Sequence, residues 1–258
     1  EDLDQDLKKI LALGTFQKVD VEFMGYNGGV RVVFLVQENP LLADVKINNN
    51  LSFSQESLLR IIQTKRGEQL NFNYLDRDIK RINQFYQNSF YDLSSVGQVV
   101  LSPTTDALTL DLAETLVETI EVTGNVFTRK ELILREFETQ PGKVYNSKTL
   151  QADRSRLFSL GYFSRVSLPE VVPAKDPGAV NIKIVLAEKK KNYLNFGVGV
   201  TSGEQFGFMK LSLINILNTG EQMYFRVQSG QEYKRTKLNY NFRYYNPWFF
   251  QRNFSFGY

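Results

Sequence analysis

Two hydrophobic periods meet near residue 190. Before it, apolar residues recur at three- and four-residue spacings between short alternating runs, which predicts helices mixed with strands. After it, apolar and polar residues alternate. Leu194, Phe196, Val198 and Val200 share one face, and Asn195, Gly197, Gly199 and Thr201 the other. Met209, Leu211 and Leu213 then oppose Lys210 and Ser212, and Met223, Phe225 and Val227 oppose Tyr224, Arg226 and Gln228. Leu238, Tyr240, Phe242 and Tyr244 oppose Lys237, Asn239, Asn241 and Arg243, and a last run begins at Phe254. This pattern predicts strands alone.

The mixed part repeats itself. Gly14, Phe16 and Val19 in "ILALGTFQKVDV" return as Gly161, Phe163 and Val166 in "LFSLGYFSRVSL". A weaker copy, "FYQNSFYDLSSV", puts Asn88 at the Gly position, Phe90 at the Phe position and Leu93 at the Val position, so the phenylalanines stand 74 and 73 residues apart. Upstream, "ADVKINNNLSFSQESLLRII" (43–62) aligns with "ETIEVTGNVFTRKELILREF" (118–137), Phe53 over Phe127 and Leu58 over Leu132. Thr128 to Glu131 has capping-box spacing, and Ser54 is the weaker cap of the middle copy. After Gly67 and Gly142 a second helix is predicted, on Leu75, Ile79, Ile82 and Phe85 and on Leu150, Leu157 and Leu160. The Gly that ends it suits a left-handed helix stop.

Two strands close each copy. In the first they are "FQKVDVEFM" and "GVRVVFLVQE" around Asn27-Gly28, and in the last "FSRVSLPEVV" and "VNIKIVLAE". Each unit thus reads strand, helix, helix, strand, strand. The first copy lacks its opening strand and helix, so the chain is expected to be an internal piece of a longer protein. The expected domains are a partial unit over 1–40, full units over 41–114 and 115–190, and a strand-only segment over 191–258.

Composition narrows the chemistry. A net charge of +3 from 31 basic and 28 acidic residues gives little support to nucleic-acid binding, the concentrated basic run being Lys189 to Lys191. Cysteine and histidine are absent, which removes disulfides, thiolate metal sites, cysteine nucleophiles and the commonest general base. Asp76 and Asp78 read as a solvated helix face beside Arg77 and Lys80. "GVGVTSGEQFG" (197–207) lacks the Gly-Lys-Ser/Thr of a phosphate loop. No catalytic, cofactor-binding or metal residue is expected, and no enzyme. No stretch has the length of an apolar transmembrane helix.

Alternation in the last segment fits a soluble sandwich or a membrane barrel with lipid-facing Leu211, Phe225 and Phe242 and lumen-facing Lys210, Arg226 and Arg243. Strands near ten residues, cations on the polar face and the aromatic cluster "YYNPWFF" (244–250) favour the barrel.

The order Gly142, Tyr145, Leu150, Asp153, Leu157, Gly161, Tyr162, Phe163, Val166 resembles the signature of the polypeptide-transport-associated (POTRA) domain. "NPWF" (246–249) and "NILNTG" (215–220), with Asn218 where a Gly is common, are similar to segments between early barrel strands of BamA-like outer-membrane assembly factors. The resemblance implies α+β POTRA repeats of order β-α-α-β-β, followed by antiparallel strands of a transmembrane β-barrel whose remainder lies past Tyr258. It implies POTRA units in the periplasm of a bacterial-type cell and a barrel in the outer membrane. The implied role is insertion of unfolded outer-membrane β-barrel proteins, with accessory assembly lipoproteins and outer-membrane lipid as partners. A two-partner-secretion pore of the same superfamily and a soluble periplasmic scaffold are the alternatives.

In such a sheet the second strand, "VDVEF" (19–23), "VGQVV" (96–100) and "RVSLPEVV" (165–172), is expected at an edge open to strand addition. Pro169 interrupts the last of these. In the middle unit, small uncharged Ser94, Ser95, Gly97 and Gln98 leave the edge unguarded, so partner binding is expected along Ser95, Val96, Gly97, Gln98, Val99 and Val100; a simply solvated strand is the alternative.

Overall fold

The computed structural model describes every residue except 1, 27, 190–191, 202–203, 215–221, 233–234, 247–249 and 258, with backbone alone at 2, 201, 204, 214, 231–232, 235–246 and 250–257. The barrel-like segments at 215–220 and 247–249, Lys190 and Lys191 therefore lie outside the described residues. One unit comprises Glu1–Leu116, Gly142–Ser147 and Lys175–Ala179, and the other Val117–Pro141, Lys148–Ala174 and Val180–Tyr258. Among the described residues no helix is long and apolar enough to cross a membrane.

The first unit opens with α1 (Asp2–Leu11), whose Leu3, Leu7 and Ile10 are half-buried, and a hairpin of β1 (Phe16–Tyr26) and β2 (Gly29–Glu38). A buried joint follows. Asn39 Nδ2 donates to the Gly14 and Leu70 carbonyls at 2.9 Å each, and Asn71 and Asn73 donate to Leu13 and Ala12. Gly14 has φ +74°, and a Cβ there would stand 2.7 Å from Asn71 Oδ1, so the position demands glycine.

The first full repeat runs β3 (Asp44–Asn48), α2 (Gln55–Leu59), α3 (Phe72–Asn88), β4 (Ser95–Leu101) and β5 (Ala107–Ala113). Its sheet order is β3-β5-β4, with β3 parallel and β4 antiparallel to the central β5. Ser54 caps α2 through its hydroxyl. Val45, Ile47, Leu108, Leu110 and Leu112 from the sheet pack with Leu58, Leu75, Ile82 and Tyr86 from the helices.

The second unit carries β6 (Leu116–Thr123), α4 (Lys130–Leu134), α5 (Ser147–Ser159), β7 (Phe163–Val166), β8 (Glu170–Pro173) and β9 (Ala179–Glu188), with β9 central in the order β6-β9-β7 and β8 also on β9. Then β10 (Asn192–Thr201), β11 (Glu204–Ile214), β12 (Gln222–Glu232), β13 (Arg235–Asn246) and β14 (Phe250–Gly257) pair antiparallel in chain order. The glycine-rich run 197–207 lies across the β10–β11 hairpin, where Thr201 pairs with Glu204.

The structure revises four sequence expectations. In the middle copy α3 continues through Asn88, and Phe90 takes the left-handed position at φ +66°, where Gly14 and Gly161 stand. The longer helix displaces that copy by two residues. At 128–131 the helix begins one residue later than the capping-box spacing predicts: Arg129 is the N-cap of α4, with no side-chain cap hydrogen bond, and Glu188 from β9 accepts from the Phe127 and Thr128 amides. Phe53 packs into its core while Phe127 is exposed. Asp78 is fully buried, in contrast to exposed Asp76, which pairs with Lys80.

Buried Asp78 belongs to a clamp that both repeats contain. Its carboxylate accepts from Gln63 N and Thr64 N at 2.8 Å each and from the Thr64 hydroxyl at 2.7 Å. In the second repeat Asp153 accepts from Glu138 N at 2.9 Å and Thr139 N at 3.0 Å, with Arg156 beside it as Arg81 is beside Asp78. Helix two is thereby tied to the loop after helix one. The Thr139 hydroxyl, however, is buried and finds no partner among the described residues. Thr64→Val is therefore expected to cost about 1–2 kcal/mol and Thr139→Val less than about 0.5 kcal/mol, since the second change removes no hydrogen bond. Hydrogen exchange of α3 and α5 amides in the two variants checks the difference, and equal losses would contradict the assigned contacts.

Candidate strand-docking edge

β4 lies on the outside of its sheet, as expected for Ser95 to Val100, and β5 occupies the centre. Ser102 N donates to Ala107 O at 2.9 Å, so at the even positions Val100 and Gln98 the main chain faces β5. Antiparallel alternation then turns the N–H and C=O of Val99 and Leu101 outward. Their side chains, with that of Val96, pack against the core. Gln98 and Val100 present theirs to solvent.

A bulge at Gly97 interrupts the register between Val96 and Gln98. Beyond it the edge is already occupied, because Val96 N donates to Asn83 Oδ1 of α3 at 2.8 Å. Ser94 is buried and its hydroxyl accepts from Thr115 N, so it is no part of the surface. Among the described residues, the predicted stretch Ser95–Val100 thus contains one open run that extends past its end, Gly97 to Leu101. Asn83 was missed because its position on α3 carries no periodic signal.

Behind the edge, Tyr86 O–H donates to Glu114 Oε1 at 2.6 Å, and Glu114 also accepts from Ser52 N and Oγ. Burial, reinforced by the bond to Glu114, pushes the Tyr86 phenol above its ordinary range. Phe53 stacks edge-on against Phe85, Tyr86 and Tyr91, which stiffens the segment leading into β4.

The last repeat has a broken edge. The expected strand 165–172 divides into β7 and β8, separated at Ser167 to Pro169, where proline has no N–H. Pro169 thus interrupts the edge as the sequence suggested.

In the C-terminal sheet, backbone register puts Lys210 opposite Arg226 and Leu211 opposite Phe225, on opposite faces. Phe225 register-pairs with Phe242, whose side chain lies outside the described ones. The polar face also carries rings that the alternation passed over. A Cβ on Gly199 would fall 2.4 Å from the Phe206 ring and one on Gly197 2.9 Å from the Phe208 ring, so both rings lie on bare backbone. Arg226 stands 5.0 Å from the Phe208 ring centre, and Lys210 Nζ 5.2 Å from that of Tyr224. The glycines at 197 and 199, directly opposite phenylalanines, were the readable signal.

Comparison with known proteins agrees with this architecture. The family model "POTRA: Surface antigen variable number repeat" matches residues 40–114 and 115–189, more than half of the chain. The chain belongs to the POTRA family. Its POTRA repeats are similar to the N-terminal domain of Omp85 from Thermosynechococcus elongatus, at 35% identity over 73% of this chain and 83% of that one, with a TM-score of 0.64. The outer membrane protein assembly factor BamA of Nitratidesulfovibrio vulgaris is 25% identical over 209 residues, covering 76% of this chain and 26% of the relative. BamA from Haemophilus ducreyi lacking POTRA domains 1–3 shares the fold over 85% of this chain and 41% of that one, at 19% identity and a TM-score of 0.50. The chain spans about a quarter of the length of the BamA relative. Its fold class is thus α+β POTRA repeats followed by antiparallel strands of a β-barrel.

Proposed function

We propose that this chain is part of an outer-membrane β-barrel assembly factor, with its POTRA repeats in the periplasm and β10 to β14 in the outer membrane. It receives unfolded β-barrel clients as extended strands and promotes their insertion. Accessory lipoproteins and outer-membrane lipid are its further partners, and no catalytic side chain or cofactor is needed. The observation that carries this reading is the open run Gly97–Leu101, where Val99 and Leu101 offer backbone donors and acceptors on an edge strand of a POTRA sheet. An incoming strand gains affinity from main-chain hydrogen bonds, which tolerates many client sequences.

The test uses a synthetic peptide with the sequence of residues 235–246, itself a barrel strand of this chain. A photo-crosslinker at exposed position 98 should capture it. Val99→Pro removes an outward donor while sparing the β4–β5 ladder, a position at which edge strands tolerate proline. With an unchanged circular dichroism spectrum, capture should fall severalfold. Undiminished capture would refute docking on β4.

A further inference from the structure

We propose that Arg154 closes the edge of the last repeat and so confines strand addition to the middle one. The inference rests on the docking reading above, and its own evidence is the geometry around Ser167. Ser167 N donates to Val185 O at 2.9 Å, so the main chain faces β9 there. In an ordinary ladder the Ser167 carbonyl would accept from Val185 N in return. Here the Ser167 hydroxyl takes that role at 2.9 Å, which releases the carbonyl.

Arg154, half-buried on α5, takes up what is released. Its Nε donates to Ser167 O at 3.0 Å and to Val166 O at 3.3 Å. By strand alternation Val166 turns its N–H and C=O to the outer side of the sheet. One guanidinium therefore occupies the outward Val166 carbonyl together with the released carbonyl of Ser167, and two residues later Pro169 carries no N–H. A strand approaching β7 meets a filled acceptor at Val166, and β7 itself ends there, three residues before Pro169. In the middle repeat the position 75 residues earlier is Ile79, which packs against the core and has no donor to offer. The guard there, Asn83, stands at the Val96 end and leaves Gly97–Leu101 open. Residue 154 thus acts as a specificity determinant between the edges of the two repeats.

The experiment uses the full chain in detergent micelles, the 235–246 peptide, and a photo-crosslinker at exposed position 98 or 165. The unsubstituted chain should capture peptide at 98 and little at 165. Arg154→Met keeps an apolar stem against the sheet and has no donor, so capture at 165 should rise about fivefold or more while capture at 98 stays constant. Hydrogen exchange across β7 and β9 shows whether the sheet is intact. If the sheet is disturbed, Arg154→Lys, which keeps a donor on a flexible stem, should give a smaller rise than Arg154→Leu, which has none. Equal capture at 98 and 165 in the unsubstituted chain, or no rise at 165 in a folded Arg154→Met chain, would overturn the guard. A rise at 165 without any capture at 98 would leave the guard standing and remove the docking role of β4.

Discussion

Phe163→Ala is expected to destabilise the last repeat by about 3–5 kcal/mol, the cost of emptying a core site that filled a whole ring. Phe163 begins β7, is fully buried, and meets the Tyr162 ring edge-on at 6.3 Å between centres. Leu150 and Leu157 of α5 and Ile184 and Leu186 of β9 belong to the same buried set. A cavity at so fully buried a ring site closes only if strands and helices held in their own hydrogen bonds move. Hydrogen exchange of β9 and α5 amides should report the loss, and a decrease below about 1 kcal/mol would place Phe163 outside the core. Phe90→Ala provides the internal contrast. Phe90 is 43% exposed at a left-handed turn, so its loss should stay within about 1 kcal/mol. Alignment by sequence alone equates the two phenylalanines and predicts equal effects.

That contrast shows where the sequence was legible. Order and type of elements followed from hydrophobic period and glycine stops, because burial of one face per element leaves a periodic trace. The edge position of β4 and the break at Pro169 followed from topology and from the missing proline donor. The two-residue displacement at Phe90 was hidden because "QNSF" has helix-compatible residues up to Asn88 and no glycine to mark the stop. Polar devices were less visible still. Asn83, Arg154, Glu188 and Asn39 act by single side chains that reach main-chain groups distant in sequence, and such contacts have no period. Phe206 and Phe208 on the polar barrel face were missed for the opposite reason: an aromatic there breaks the alternation and is understood only with Gly199 and Gly197 opposite.

Asp78→Ala is expected to cost about 3–5 kcal/mol, against less than about 0.5 kcal/mol for Asp76→Ala two residues away. Asp76 is a helix-surface carboxylate paired with Lys80, both largely in water, so solvent replaces the contact when it is lost. Asp78 sits with Leu75, Ile82 and Tyr86 on the core face of α3. Its removal would leave Gln63 N, Thr64 N and the Thr64 hydroxyl without their acceptor, and Arg81 without its counter-charge. Thr64 is buried, so water reaches these donors poorly, and an unmade bond to an anion costs more than a neutral one. Asp78→Asn should fall between the two, since its single amide oxygen can serve part of the set. The same carboxylate position recurs as Asp153, so Asp153→Ala should weaken the last repeat in the same way, by somewhat less because Thr139 contributes no hydroxyl contact. Urea unfolding of the full chain in detergent, followed by hydrogen exchange of α3 and α5, ranks the four variants. Equal stabilities for Asp78→Ala and Asp76→Ala would mean that the loop between the helices is held by packing alone, and the repeated aspartate would lose its structural role.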